Sequence, residues 1–123
     1  MNQTNLKLYC YNRCSTCSKA KAWLKKNEIS FEEKEIMQFP PTSTMFNEWV
    51  FEQGIPVINF YNTRGAKYRE LNMKERVKTM TDDELVAMLA SHGNLVKRPI
   101  LTDGKAVLVG FKEDEWASSL KNK

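Results

Sequence analysis

All three cysteines of the chain fall between positions 10 and 17, and two of them form Cys14-Ser15-Thr16-Cys17. Residues three apart share a helix face, about 5–6 Å between Cβ atoms. That is somewhat longer than a relaxed disulfide wants, but the loose first turn of a helix can close the gap. The chemistry of such a pair depends on where it sits. Leu6-Lys7-Leu8-Tyr9-Cys10-Tyr11 alternates and is rich in strand formers, so it reads as a first strand that Asn12-Arg13 breaks. Cys14 to Asn27 then reads as a helix. Ala20, Trp23 and Leu24 recur at helical spacing, with Lys19, Lys21, Lys25 and Lys26 mostly on the other side. The pair is therefore predicted at a strand-to-helix junction, with Cys14 or Ser15 near the N-cap. Free backbone N–H groups and the helix dipole stabilise a thiolate there, and the neighbouring cations Arg13 and Lys19 push the same way. Cys14 is expected to be the nucleophile, with a lower pKa than Cys17. Cys17, deeper in the helix, is the expected resolving thiol.

Two other readings of the pair stand beside this one. Free cysteines often behave as small buried hydrophobes that never react. Alternatively, Cys10, Cys14 and Cys17 supply three thiolates to a metal. A structural zinc wants four ligands, however, and the single histidine, His92, is far along the chain with no second Cys-x-x-Cys. No metal is expected, and His92 is read as part of a helix C-terminus. Cys10 is open: it packs in or near the core, or it is a third redox thiol if its side chain faces the loop.

The rest of the chain supplies the frame. Ser30 to Ile36 reads as a second strand, with Phe31, Glu33 and Glu35 on one face and Lys34 and Ile36 on the other. Strand, helix and strand over about thirty residues suggest a parallel βαβ unit. Pro40-Pro41 ends it. Thr42 to Gln53 reads as a helix whose buried face draws on Phe46, Trp49, Val50 and Phe51, with Gly54 as its stop. Asn62-Thr63-Arg64-Gly65 looks like a loop flanked by short helical pieces. Thr81 and Glu84 form a capping box, and the helix they open carries Leu85, Val86, Met88 and Leu89 to His92-Gly93. Ile100 to Thr102 and Ala106 to Val109 read as a hairpin about Asp103-Gly104, a pair suited to a two-residue turn. A last helix is expected from Lys112 to Leu120, with Lys121-Asn122-Lys123 frayed.

Length and composition limit what this frame can be. The chain has 123 residues, 41% of them hydrophobic and 28% charged, which fits one packed domain. No apolar run approaches the ~20 residues of a membrane span, and Met1 to Asn5 lacks the features of a signal peptide. A cytoplasmic protein without a membrane role is expected. The net charge of +4 is too mild to argue for direct nucleic acid binding.

With these elements in hand, the chain resembles the arsenate reductase family and its relatives, the Spx-type regulators, over nearly its whole length. The likeness runs through Cys14-Ser15-Thr16-Cys17-Ser18-Lys19-Ala20. It continues in Phe60-Tyr61-Asn62-Thr63-Arg64-Gly65 and Tyr68-Arg69-Glu70-Leu71. Leu95-Val96-Lys97-Arg98-Pro99-Ile100 and Val107-Leu108-Val109-Gly110-Phe111 complete it. The resemblance implies an α/β, thioredoxin-like fold in a single domain, 1–123, with a helical insertion at about 40–95 between the βαβ and ββα halves. It implies a cis proline at Arg98-Pro99. It also implies that a cysteine at the helix start attacks the arsenic while three arginines hold the oxyanion. Arg64 and Arg98 match two of these as substrate-binding residues, in keeping with the paired hydrogen bonds an arginine fork gives an oxyanion. The third, expected on the last strand, has no counterpart near Gly110. Cys10-Tyr11-Asn12-Arg13 stands where arsenate enzymes carry a His-Asn-Pro type segment, and the Cys-x-x-Cys is closer to the Spx-like branch.

Three functions follow from these readings. In the first, Cys14 attacks arsenate or a disulfide, Cys17 resolves the adduct, and an external thiol restores the dithiol. Glutaredoxin, thioredoxin or a low-molecular-weight thiol would serve, with no bound cofactor. In the second, the same disulfide is a sensor in a regulator that binds RNA polymerase. The third is a general glutaredoxin-type oxidoreductase without anion specificity. The enzyme reading is preferred because both oxyanion arginines have matching positions.

Overall fold

The computed structural model of the protein describes residues 5–11 and 14–120. Arg13, expected to act on Cys14, lies outside them, as do Asn12 and the tail Lys121-Asn122-Lys123. The chain forms two compact units, Met1–Glu35 with Arg98–Lys123, and Ile36–Lys97. The fold is α/β and thioredoxin-like, as the resemblance implied.

The first unit holds the sheet. Strand β1 (Lys7–Cys10), helix α1 (Ser15–Lys26) and strand β2 (Glu32–Glu35) make the expected βαβ crossover, with β1 and β2 parallel. The chain returns to this unit with strand β3 (Ile100–Thr102) antiparallel to β1, then strand β4 (Val107–Val109) antiparallel to β3, giving the order β2-β1-β3-β4. Burial along β1 explains the packing. Leu6, Leu8 and Cys10 share one parity and enter a single core cluster with Cys17, Ala20, Trp23 and Leu24 of α1. A final helix, here numbered α6 (Glu113–Leu120), adds Trp116 and Leu120 to the same cluster. Trp116 meets Trp23 and Phe111 edge-on, and its Nε1–H donates to the Gly110 carbonyl at 3.0 Å. Helix α1 ends where Glu28 takes a left-handed conformation (φ 58°), letting the Ile29 N–H return to the Leu24 carbonyl. On β2, Glu33 pairs with Lys21 of α1 at 3.1 Å and Glu32 with Lys34 at 2.9 Å.

The hairpin departs from expectation. Four residues, 103–106, connect β3 and β4, and only Gly104 among them has a positive φ (106°). A two-residue turn needs φ > 0 at both centres. Instead, the Asp103 carboxylate accepts the Lys105 and Ala106 N–H groups, and the Thr102 hydroxyl accepts from Gly104 and donates to the Ala106 carbonyl. The polar side chains of Thr102 and Asp103 thus build the loop, which moves Ala106 out of the strand.

The second unit is helical. Its elements are α2 (Ser43–Asn47), a π-helical turn (Glu48–Glu52), a 3-10 turn (Val57–Phe60), α3 (Ala66–Glu70), α4 (Met73–Arg76), α5 (Asp82–Ser91) and a 3-10 turn (Gly93–Leu95). Thr42 caps α2, and Phe46, Trp49 and Phe60 form an aromatic core. The wider π turn breaks the 3.6-residue period assumed for 42–53. Trp49 and Val50 stay buried, but Phe51, assigned to the buried face, is 49% exposed. Thr81 and Glu84 form the expected capping box, and His92 is the C-cap of α5.

Gly93 is required by space. A Cβ there would collide with the backbone carbonyl oxygen of Ile36 in the same unit. Gly93→Ala is expected to lower the stability of the protein by about 1–3 kcal/mol, read from the urea midpoint. An unchanged midpoint would show that the 36–37 backbone yields freely.

Candidate active site

Cys14 is the N-cap residue of α1 (φ −98°, ψ 117°) and is half-buried. Its backbone N–H donates to the Tyr11 carbonyl at 3.1 Å, which folds the chain back between β1 and α1. Its own carbonyl accepts the Ser18 N–H at 3.1 Å, closing the first helical turn. The Cys14 side chain makes no capping bond to the helix backbone, and one turn further on Cys17 is fully buried. All three cysteines are free thiols.

The three sulfurs form one group. Cys17 lies in hydrogen-bonding reach of the Cys10 and Cys14 side chains and of the Tyr11 backbone N–H. The strongest influence on Cys17 is the S–H of Cys10, which donates to it and holds its pKa below the ordinary thiol range. The Tyr11 N–H, Cys14 and the charge of Arg98 act in the same direction, against burial, which favours the neutral form. Cys10 moves the opposite way: its proton is held by Cys17, and burial adds to the rise. Sequence reasoning placed the lowered pKa on Cys14 rather than Cys17. The helix start pointed to Cys14, whereas the donors that lower a thiol pKa converge on Cys17, one turn deeper. Lys19, also expected to help, is exposed.

Arg98 precedes Pro99, and the peptide bond between them is cis. Its guanidinium carbon lies 5.2 Å from the centre of the Tyr11 ring, within the range of a cation–π contact. Its Nε is buried and lacks a hydrogen-bond partner among the described residues. Leaving such a donor unsatisfied costs about 1–3 kcal/mol, so an acceptor arriving there would be favoured.

Arg64 belongs to the second unit, where it is exposed on the loop before α3. Arg69 Nη1 donates to its carbonyl at 3.0 Å, and a side chain at Gly65 would press on Asn62 Nδ2 at 2.7 Å. Both features tie down the backbone that carries Arg64. The four expected site residues thus fall in two units, Cys14, Cys17 and Arg98 in the first and Arg64 in the second. Sequence reasoning missed Tyr11, which gives Cys17 a backbone donor and faces Arg98 with its ring. It also left Cys10 open, although the shared parity of Leu6, Leu8 and Cys10 was a readable sign that this thiol faces α1. Among the described residues, no group of three or more His, Cys, Asp or Glu side chains is placed to hold a metal ion. No helix among them is long and apolar enough to cross a membrane.

Comparison with known proteins matches residues 9–119 to the model of the ArsC family. The chain is 44% identical over 112 residues to the uncharacterized protein YusI of Bacillus subtilis, covering 91% of this chain and 95% of that one. It is 32% identical over 108 residues to the global transcriptional regulator Spx 1 of Lactococcus lactis, covering 88% and 83%. Among solved structures, an ArsC family related protein from Bacteroides fragilis superposes with a TM-score of 0.87 at 41% identity, covering 95% and 98%.

The opposed shifts of Cys10 and Cys17 fix the sign of a pH effect on stability. A thiol with a lowered folded pKa stabilises the fold fully above its unfolded pKa of about 8.5, and loses that contribution as pH falls through the folded value. A raised thiol does the reverse, and its contribution falls away as pH climbs above the unfolded value. Under reducing conditions the urea midpoint should therefore rise as pH approaches about 8.5 from below and decline beyond it. Cys17→Ser should flatten the rising limb. A rising limb of the same slope in Cys17→Ser would assign it to other groups.

Proposed function

The chain belongs to the ArsC family, and from that premise we propose that it is a thiol–disulfide oxidoreductase in which Cys14 attacks and Cys17 resolves. One observation carries the reading: a half-buried thiol stands at the start of α1, with a fully buried, hydrogen-bonded thiol one turn behind it. Only Cys14 of the three is open to an incoming substrate. Cys17, its pKa held down, is suited to strike the sulfur in front of it.

With a disulfide substrate, the Cys14 thiolate attacks one sulfur and the other leaves as a thiolate, giving a mixed disulfide on Cys14. The Cys17 thiolate then attacks Cys14 Sγ, expels the bound half as a second thiolate and leaves a Cys14–Cys17 disulfide. With arsenate, Cys14 displaces water from arsenic(V) to form an S–As bond. Cys17 attacks Cys14 Sγ, the S–As electron pair stays on arsenic, and arsenite departs. Arg98 suits the anion because its buried Nε lacks an acceptor among the described residues. An external thiol (glutaredoxin, thioredoxin or a small thiol) returns the two electrons, so no bound cofactor is required and a reducing cytoplasm suits the cycle.

A regulatory reading draws support from the 32% identity to Spx 1 and from the Cys-x-x-Cys itself. In it, the Cys14–Cys17 disulfide is a sensor and RNA polymerase is the partner. Arsenate-dependent consumption of reducing equivalents in a coupled assay supports the enzyme. Capture of the polymerase α subunit without such turnover supports the regulator.

Cys14→Ser should abolish turnover, and Cys17→Ser should accumulate a mixed adduct on Cys14 visible by mass. Normal turnover in Cys17→Ser would remove Cys17 from the resolving role. Hydrogen bonds to charged groups contribute about 1.5–3 kcal/mol, so Arg98→Ala should lower kcat/KM for an oxyanion by about ten- to a hundredfold. An unchanged value would leave a general disulfide oxidoreductase without anion specificity.

A further inference from the structure

Cys10 has no role in the two displacement steps, yet it is buried and hydrogen-bonded to the thiol that performs the second. It is the last residue of β1, on the parity that packs against α1, in the same core cluster as Cys17. We propose that Cys10 is a positioning residue for the resolving step: packed with Cys14 and Cys17 where β1 meets α1, its S–H donates to the Cys17 sulfur and keeps it aimed at Cys14. The inference rests on the resolving role given to Cys17 above.

The surroundings favour this division of labour. Around Cys17 stand Cys10, Cys14, the Tyr11 N–H and Arg98, all of which favour its thiolate. Around Cys10 stand Cys17, Lys21 and Glu33, and the last two are joined in an ion pair that offsets much of either charge. The proton shared by the two sulfurs therefore stays on Cys10. A sulfur buried in an apolar cluster without such a donor would remain a neutral thiol at neutral pH and resolve slowly.

Magnitudes set the size of the effect. For each unit that a thiol pKa rises above the solution pH, its thiolate fraction falls about tenfold while its intrinsic nucleophilicity rises about threefold. The net loss is about threefold per unit. At alkaline pH, where even a raised thiol ionises, the loss disappears and the more basic sulfur is the better nucleophile. A change in pH profile is thus the mark of this role, and a general loosening of the core would not produce it.

The test is stopped-flow reaction of the reduced full chain with dithiobis-nitrobenzoate. Attack by Cys14 releases one coloured thiolate in a reagent-dependent phase. Attack by Cys17 on the adduct releases a second in a phase independent of reagent concentration. For Cys10→Ala at neutral pH, the first phase should keep its rate within about twofold and the second should slow by about three- to tenfold. The second phase should catch up with that of the unmodified protein at alkaline pH, and Cys10→Ser, which restores a donor, should recover most of the neutral rate. If Cys10→Ala does not fold, Cys10→Ser and the ultraviolet thiolate titration of the unmodified protein carry the test. That titration should show one thiolate forming below the ordinary thiol range. A second phase unchanged in Cys10→Ala, slowed equally at every pH, or slowed as much in Cys10→Ser overturns the inference, as does a titration without the early thiolate. Absence of the reagent-independent phase in the unmodified protein would overturn the resolving role of Cys17 itself.

Discussion

The buried sulfur of Cys17 is where packing and chemistry meet in the first unit. Helix α1 must lay Ala20, Trp23 and Leu24 on the face of β1 that carries Leu6 and Leu8, and the same stripe carries Cys17 inward. A fully buried thiolate would be costly if nothing compensated for its lost hydration. Here compensation comes from two thiols, one backbone N–H and one guanidinium, all within the first unit. Helix register and strand parity therefore do more than fill a core, because they decide which sulfur receives the donors.

Arg98 shows the opposite economy. Its ring contact with Tyr11 and its charge near Cys17 hold it in place, while its Nε finds no partner among the described residues. A folded protein with every buried donor satisfied would be more stable but less ready to accept an anion. The unmet hydrogen bond is a local cost tolerated where a ligand oxygen would remove it. Tyr11 serves both partners, with its backbone on the thiol side and its ring on the guanidinium side.

Much of this was legible in the residues. The alternation of Leu6 to Tyr11, the helical spacing of Ala20, Trp23 and Leu24, and the Thr81–Glu84 box each rest on a short-range rule, and each reappears in the structure. The misreadings arose where a longer-range or less regular interaction prevailed. Phe51 was assigned by an α-helical period that the π turn interrupts. The hairpin was assigned from Asp103-Gly104 alone, while Thr102 and Asp103 together build a longer loop. The lowered thiol was looked for at the helix terminus, yet the donor that matters most to Cys17, Cys10, comes from the neighbouring strand. No spacing rule within one element can report a proton shared between two.

Strand β2 lies at the edge of the sheet and consists of Glu32, Glu33, Lys34 and Glu35. An open edge invites another chain to extend the sheet. A second copy laid along this one would bring three carboxylates and a single amine up against an identical set, and like charges placed opposite each other repel. The charges on β2 thus discourage a second copy from adding to the sheet along that flank.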